Sequence, residues 1–216
     1  MTALAEATTP VAGPDYFNRY ENLHMQRTSS GVLTLRFHTN EGPVAFTGTT
    51  HRELPKALAE IGDDRENKVL VITGTGETFM DSIDGDSLGP IYEPAEWDRI
   101  YWEGRRGLQR LLELETPIVA AVNGPATVHS EYALLADIVV ASEDAIFMEK
   151  PHLGFNIVPG DGIQVIYDEL LGVNRARYFA LTQQQLTSRE AERLGWSTRS
   201  WPSTSCTFAR WSSRRS

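Results

Sequence analysis

The stretch Ile118-Val119-Ala120-Ala121-Val122-Asn123-Gly124-Pro125 reads as a strand that runs apolar for five residues and then stops in a turn. The absence of a polar alternation suits a strand covered on both faces. A second stretch, Val69-Leu70-Val71-Ile72-Thr73, repeats the pattern and ends at Gly74-Thr75-Gly76. In both cases a polar segment follows and opens a helix, which points to a repeated strand-turn-helix unit. Working outward, residues 138–141 and 146–148 supply further short strands, and residues 162–170, 174–181 and 188–194 supply helices with apolar faces. This alternation predicts an α/β fold in which helices cover buried strands.

Toward the N-terminus, residues 23–26 and 32–37 flank Thr28-Ser29-Ser30-Gly31 and read as a hairpin, with Leu33, Leu35 and Phe37 alternating against Val32, Thr34 and Arg36. Residues 50–61 predict an amphipathic helix with Leu54, Leu58 and Ile61 on one face and Pro55 in its first turn. A longer helix is expected over 97–114, with Ile100, Trp102, Leu108, Leu111 and Leu112 as its apolar positions, ended by Glu115-Thr116-Pro117. Residues 1–14 are small, polar and Pro-containing, and are expected to form a flexible arm. One domain over 15–195 accommodates the rest.

Composition narrows the function. A hydrophobic share of 41% and a charged share of 23% over 216 residues are those of a globular protein. The net charge of -9 argues against a nucleic-acid surface. No apolar run approaches the roughly 18 residues of a membrane span, and no basic, apolar leader opens the chain. A cytoplasmic location is expected. Cys206 is the single cysteine, the five histidines show no metal-binding spacing, and no metal or cofactor is expected. Gly74-Thr75-Gly76 lacks the third glycine of a dinucleotide loop and the Gly-Lys-Ser/Thr of a phosphate loop.

Chemistry concentrates around Pro151-His152-Leu153-Gly154-Phe155-Asn156-Ile157-Val158-Pro159-Gly160-Asp161-Gly162. The Pro-Gly-Asp-Gly run reverses the chain, so His152 and Asp161 are expected to face each other. A neutral imidazole takes a proton from water when a carboxylate on its other nitrogen fixes the tautomer and steadies the cation. The bland reading is a surface turn with an unrelated histidine.

Taken in order, Val69–Thr73 with Gly74 leading to Phe79, then Ala120-Ala121-Val122-Asn123-Gly124-Pro125, then Ile157-Val158-Pro159-Gly160-Asp161-Gly162, resemble the crotonase (enoyl-CoA hydratase/isomerase) superfamily over residues 21–195. The resemblance implies a spiral of strand-strand-helix repeats with C-terminal helices, assembled as a trimer or hexamer. It also implies an oxyanion hole of two backbone amides, which map to Met80 and His129. Phe79-Met80-Asp81-Ser82-Ile83-Asp84 keeps the family's Phe and Asp but loses its glycine, and the triple glycine of the second segment has become Val128-His129-Ser130. His152 stands where the hydratases carry a catalytic glutamate.

Within the superfamily this combination resembles the 6-oxocamphor hydrolase type of β-diketone hydrolase. Such enzymes cleave a carbon–carbon bond by a retro-Claisen reaction without CoA, with a His-Asp pair and a second histidine. The matching positions are His152, Asp161 and His129. Phe46 falls where those hydrolases carry an aromatic against the substrate, although an isolated Phe is more often core. Glu131 reads either as an acid beside the substrate or as a helix-start charge, and Asp84 as a turn or cap residue. The expected partner is a small-molecule diketone, with an acyl-CoA hydratase or isomerase as the first alternative and an inactive relative as the second.

From Trp196 onward the composition changes to Ser, Arg, Thr and Trp, with no acidic residue and no Leu, Ile or Val. Residues 196–216 are therefore expected to form an atypical tail outside the core. Shifting GC-rich codons for residues 195–208 by one nucleotide yields an apolar strand and an acidic helix start. That suggests a reading-frame change, with the C-terminal helical part of the family missing or altered, including a glutamate that the diketone hydrolases bring toward the substrate.

Overall fold

The computed structural model describes residues 9–197 and 199–201. Its strands are β1 (Pro10–Val11), β2 (Leu23–Thr28), β3 (Val32–Phe37), β4 (Ala45–Phe46), β5 (Val69–Thr73), β6 (Ser82–Ile83), β7 (Ile118–Val122), β8 (Ile138–Ser142), β9 (Ile146–Phe147), β10 (Leu186–Thr187) and β11 (Arg199–Trp201). The helices are α1 (Gly48–Asp63), α2 (Pro94–Leu112), α3 (Glu131–Leu134), α4 (Pro151–Gly154), α5 (Ile163–Leu171), α6 (Val173–Thr182) and α7 (Ser188–Arg193). The main sheet runs β1-β2-β3-β5-β7-β8-β11. Its first three strands are antiparallel and the remainder parallel, so the expected α/β architecture is present.

Local chemistry explains the register. In β3, Leu33, Leu35 and Phe37 are buried while the alternate residues are partly exposed, as one covered face requires. In β5 and β7 consecutive residues are buried, as in a strand covered on both sides. A second set of short pairings joins β4 to β6, bridges Met80 to Ala126 and Ala126 to Phe147, and pairs β9 with β10.

Helix α1 starts earlier than expected. The Thr47 hydroxyl accepts from the Thr50 amide at 3.1 Å while the Thr50 hydroxyl faces the Thr47 amide at 3.5 Å, a reciprocal cap. Pro55 therefore lies inside the helix and not in its first turn, and leaves the His51 carbonyl without its helical donor. In α2, Leu108 and Leu111 are buried as expected, whereas Trp102 and Leu112 are exposed. The helix turns its glycines, Gly104 and Gly107, to the interior.

Both ends depart from the expected arm and tail. Pro10 and Val11 pair with Thr28 and Arg27, so the described end of the arm is an edge strand. Trp196 belongs to the core at 2% exposure. Its ring stacks on Tyr167 with centroids 5.9 Å apart and meets Phe179 and Phe147 edge-on at 5.0 and 5.9 Å. Large apolar area, not the surrounding composition, decides its place. Residues 199–201 then extend the sheet parallel to β8, while residues 1–8 and 202–216 lie outside the described residues. No described helix is long and apolar enough to cross a membrane.

Truncating Trp196 to Ala is expected to cost about 3–5 kcal/mol, the range for large aromatic deletions in a core. Denaturant unfolding measures it; a change within about 0.5 kcal/mol would place Trp196 outside the packed interior.

Candidate active site

The turns that end β5 and β7 are held together by Asn123 and two glycines. The Asn123 side chain accepts from the Gly74 amide at 3.0 Å and donates to the carbonyls of Gly76 and Thr78 at 2.8 and 3.1 Å. A Cβ on Gly124 would lie 1.8 Å from the Glu77 carbonyl oxygen, and one on Gly74 would lie 2.1 Å from that of Thr78. Only glycine lets these backbones approach so closely. The clamp sets Met80 beside Ala126 and carries the chain on to His129 at the carboxyl ends of the strands, where α/β sheets bind ligands.

A cavity opens there, lined by His51, His129, His152 and Asp161 and walled by Ile83, Leu88, Ile91, Trp97, Ile100, Tyr101, Phe155 and Ile157. The first turns of α2 supply Trp97, Ile100 and Tyr101. Few polar groups in an apolar wall is the composition of a small-molecule site.

Each of the three histidines has a carboxylate on its Nδ1. His152 pairs with Glu149 at 2.7 Å, His129 with Glu131 at 2.7 Å, and His51 with Glu103 at 3.0 Å. Ionised carboxylates only accept, so each Nδ1 is the donor and each Nε2 is left for the cavity. Ring centroids of His129 and His152 are 6.4 Å apart, and those of His51 and His129 are 6.3 Å apart.

The electrostatics differ between them. Burial pulls His152 down, but the hydrogen bond and charge of Glu149, with the charges of Asp161 and Glu131, outweigh it and raise its pKa. For His51 burial dominates and the pKa falls, despite the opposing Glu103 bond and the charges of Glu103 and Asp161. Glu103 is itself pushed up by burial, yet the bonds from His51 and Arg99 leave its carboxyl below the usual range.

Several expectations change against this geometry. Asp161 lines the cavity, but the hydrogen bond on His152 comes from Glu149, three residues earlier across the start of α4. The reversal does bring Asp161 within electrostatic reach of His152, but its Oδ1 accepts from the Ile163 amide at 3.4 Å. A Cβ on Gly104 would stand 3.0 Å from Asp161 Oδ2 and 3.5 Å from His51 Nε2, so these two groups share a gap beside α2.

The Met80 amide donates to the Pro125 carbonyl at 3.0 Å as part of the strand-like bridge, and is thereby occupied. Among the described residues the Asp81 and His129 amides have no acceptor. His129 adopts φ 51°, the left-handed conformation that its glycine-like position calls for. Phe46 is fully buried and packs on the His129 ring with centroids 4.3 Å apart, so it backs the histidine and does not reach the cavity. Glu131, at 1% exposure, likewise holds His129 and is not among the residues that line the cavity. Asp84 is a turn residue, accepting from the Ser87 amide at 3.3 Å.

His51 escaped the sequence reading, although its spacing from Leu54 and Leu58 puts it on the apolar face of α1, where a histidine is out of place. Among the described residues no group of three or more metal-ligating side chains is placed to hold a metal ion.

Residues 27–206 match the family model described as enoyl-CoA hydratase/isomerase. The chain belongs to this family. A solved β-diketone hydrolase from the cyanobacterium Anabaena sp. PCC 7120, bound to (S)-3-oxocyclohexyl acetic acid, is similar to it at 45% identity with a TM-score of 0.90, over 95% of this chain and 82% of that one. An enoyl-CoA hydratase structure from Mycobacterium avium subsp. paratuberculosis K-10 gives a TM-score of 0.73 at 28% identity, over 86% and 70% of the two chains. Among curated relatives, a probable peroxisomal enoyl-CoA hydratase of Arabidopsis thaliana is 31% identical over 182 residues, and a short-chain enoyl-CoA hydratase of Clostridium acetobutylicum is 32% identical over 153. These matches take in 81% and 70% of this crotonase-family chain, which spans 65% and 58% of the two relatives' lengths.

An imidazole NMR titration is expected to place the His51 midpoint below a histidine's usual value of about 6.5 and that of His152 above it. The opposite order would contradict the pairing of burial with His51 and of Glu149 with His152.

Proposed function

We propose that this protein hydrolyses a carbon–carbon bond in a cyclic, bicyclic-type 1,3-diketone by a retro-Claisen reaction. The observation that carries the reading is the set of imidazoles presenting Nε2 to an apolar cavity, with a carboxylate locked on each far nitrogen. His152 takes a proton from water on Nε2, and the hydroxide adds to one carbonyl carbon. The tetrahedral intermediate collapses to a carboxylic acid as the bond to the carbon between the two carbonyls breaks, and that carbon leaves as an enolate of the second ketone. The His129 ring, held at Nδ1 by Glu131, faces the enolate oxygen, and the Asp81 and His129 amides are the donors that stabilise its charge. Return of the proton to carbon completes a keto acid. His51 and Asp161 close the cavity as acceptors, suited to holding water more than a ketone oxygen.

The 45% identical diketone hydrolase supports this reading, because the (S)-3-oxocyclohexyl acetic acid it holds is itself a keto acid. Rejoining its carboxyl carbon to the ring carbon that lies beside the ketone and opposite the acetate-bearing carbon regenerates a bicyclic 1,3-diketone. The alternative, hydration of an enoyl-CoA, is favoured by the names of the curated relatives. Against it, imidazoles replace the hydratase glutamate and fill the glycine position at residue 129.

Purified protein is to be offered that bicyclic dione and crotonyl-CoA in parallel. Loss of the dione with release of one keto acid per molecule is the expected result; loss of the thioester alone overturns the proposal. His152→Asn, which keeps a donor for buried Glu149, is expected to lower turnover by about 10²–10⁴-fold with an unchanged melting temperature. Since His152 must be neutral to act and its pKa is raised, kcat/KM is expected to fall on the acid side through a midpoint above about 6.5. A flat profile from pH 6 to 8 would remove His152 from the role.

A further inference from the structure

We propose that Glu149 is the positioning residue of the His152 base, fixing its ring as the Nδ1–H tautomer with Nε2 bare toward the cavity. The inference rests on the reading of His152 as the base and adds the group that prepares it.

The carboxylate is 2% exposed and its Oε1 is 2.7 Å from His152 Nδ1. Its other oxygen, Oε2, is buried without a partner among the described residues. A buried carboxylate with one oxygen unsatisfied destabilises a fold, so packing and stability do not account for it. Its single hydrogen bond goes to the imidazole.

The backbone holds the pair rigidly from both sides. The Met148 and Lys150 amides donate to the Ala126 and Thr127 carbonyls at 3.3 and 3.0 Å. Beyond them Pro151 opens α4, where fixed φ suits the first helical position. The Ile157 amide then returns to the His152 carbonyl at 2.8 Å. Glu149 lies two residues before α4 and His152 is the second residue of that helix, so the carboxylate meets the ring across the helix start, from its own segment. Asp161, the carboxylate expected for this role, lines the same cavity but makes no hydrogen bond to His152 among the described residues and acts on it through its charge. The charged and titratable groups that face His152 are Glu149, Asp161, Glu131 and the His129 ring.

The test uses the full chain labelled with 15N-histidine. In the parent above its titration midpoint, His152 is expected to show the Nδ1–H tautomer. In Glu149→Gln its midpoint is expected to fall, and to fall further than in Asp161→Asn. Turnover of the dione is expected to drop about 10²-fold in Glu149→Gln with KM little changed, the acid limb of the rate profile moving to lower pH with the midpoint. Glu149→Asp is expected to restore part of both.

A parent His152 in the Nε2–H form overturns the proposal, as does an equal or larger midpoint change in Asp161→Asn. If Glu149→Gln does not fold, the parent tautomer and the midpoint change in Glu149→Asp, compared with that in Asp161→Asn, still decide. A parent that leaves the dione untouched while His152 shows the expected tautomer and midpoints defeats the hydrolase reading but not the pairing.

Discussion

The site depends on a close approach of two backbones. Gly124 lies against the Glu77 carbonyl so tightly that a methyl group would overlap it, and Asn123 binds the opposite turn through both ends of its amide. An Asn side chain suits this because it offers an acceptor and two donors to a neighbouring loop as a peptide group would. The clamp makes the ends of β5 and β7 one body. From it the Met80 to Ala126 bridge continues the pairing past the sheet, so residues 79–81 and 126–129 follow parallel paths into the cavity. Met80 spends its amide on this continuation, and the amides beyond it, at Asp81 and His129, are those left for other use.

On that frame the protein buries charge deliberately. Glu131 and Glu149 are nearly inaccessible, and each has one oxygen on a histidine and one without a partner. Burying an ionised carboxylate is unfavourable unless it is hydrogen-bonded, so these pairs draw on stability that α1, α2 and the sheet supply elsewhere. What the cavity gains is orientation. A histidine restrained at Nδ1 presents Nε2 in one direction, and three such rings lie on one cavity. His51 and His152 reach opposite electrostatic outcomes with the same type of partner, because burial wins at one and the carboxylate wins at the other.

The fold was largely legible in the sequence because its parallel strands are apolar runs that end in Gly and Asn, signals that survive without tertiary information. Val69–Thr73 and Ile118–Val122 have the bounds that the apolar runs suggested. The two-residue strands β4, β6 and β10 were not legible, since pairs this short carry no period. Trp196 was misjudged because composition was averaged over residues 196–216, whereas one indole was enough to complete a cluster with Tyr167 and Phe179. At the site, His129, His152 and Asp161 were found from motif position and do line one cavity. Their partners were not, because which carboxylate meets which ring nitrogen is set by backbone direction across a helix start. Glu149 is as close to His152 in sequence as a helical neighbour, and that spacing was the available clue.

His129 joins the two halves of this account. A non-glycine residue at φ 51° is disfavoured by contact between its Cβ and backbone, on the order of 1 kcal/mol. The conformation persists because its surroundings leave no other: Ser130 and Glu131 begin α3 at once, Glu131 takes Nδ1, and Phe46 covers one face of the ring. The backbone thus keeps the path a glycine would follow while a side chain occupies the space a glycine would leave open. A glycine there exposes an amide to a ligand that lies along the chain. With histidine the same amide is still without an acceptor among the described residues, but the approach is narrowed and an imidazole stands beside it. The side chain at residue 129 thereby sets both the shape and the chemistry of the cavity at this point.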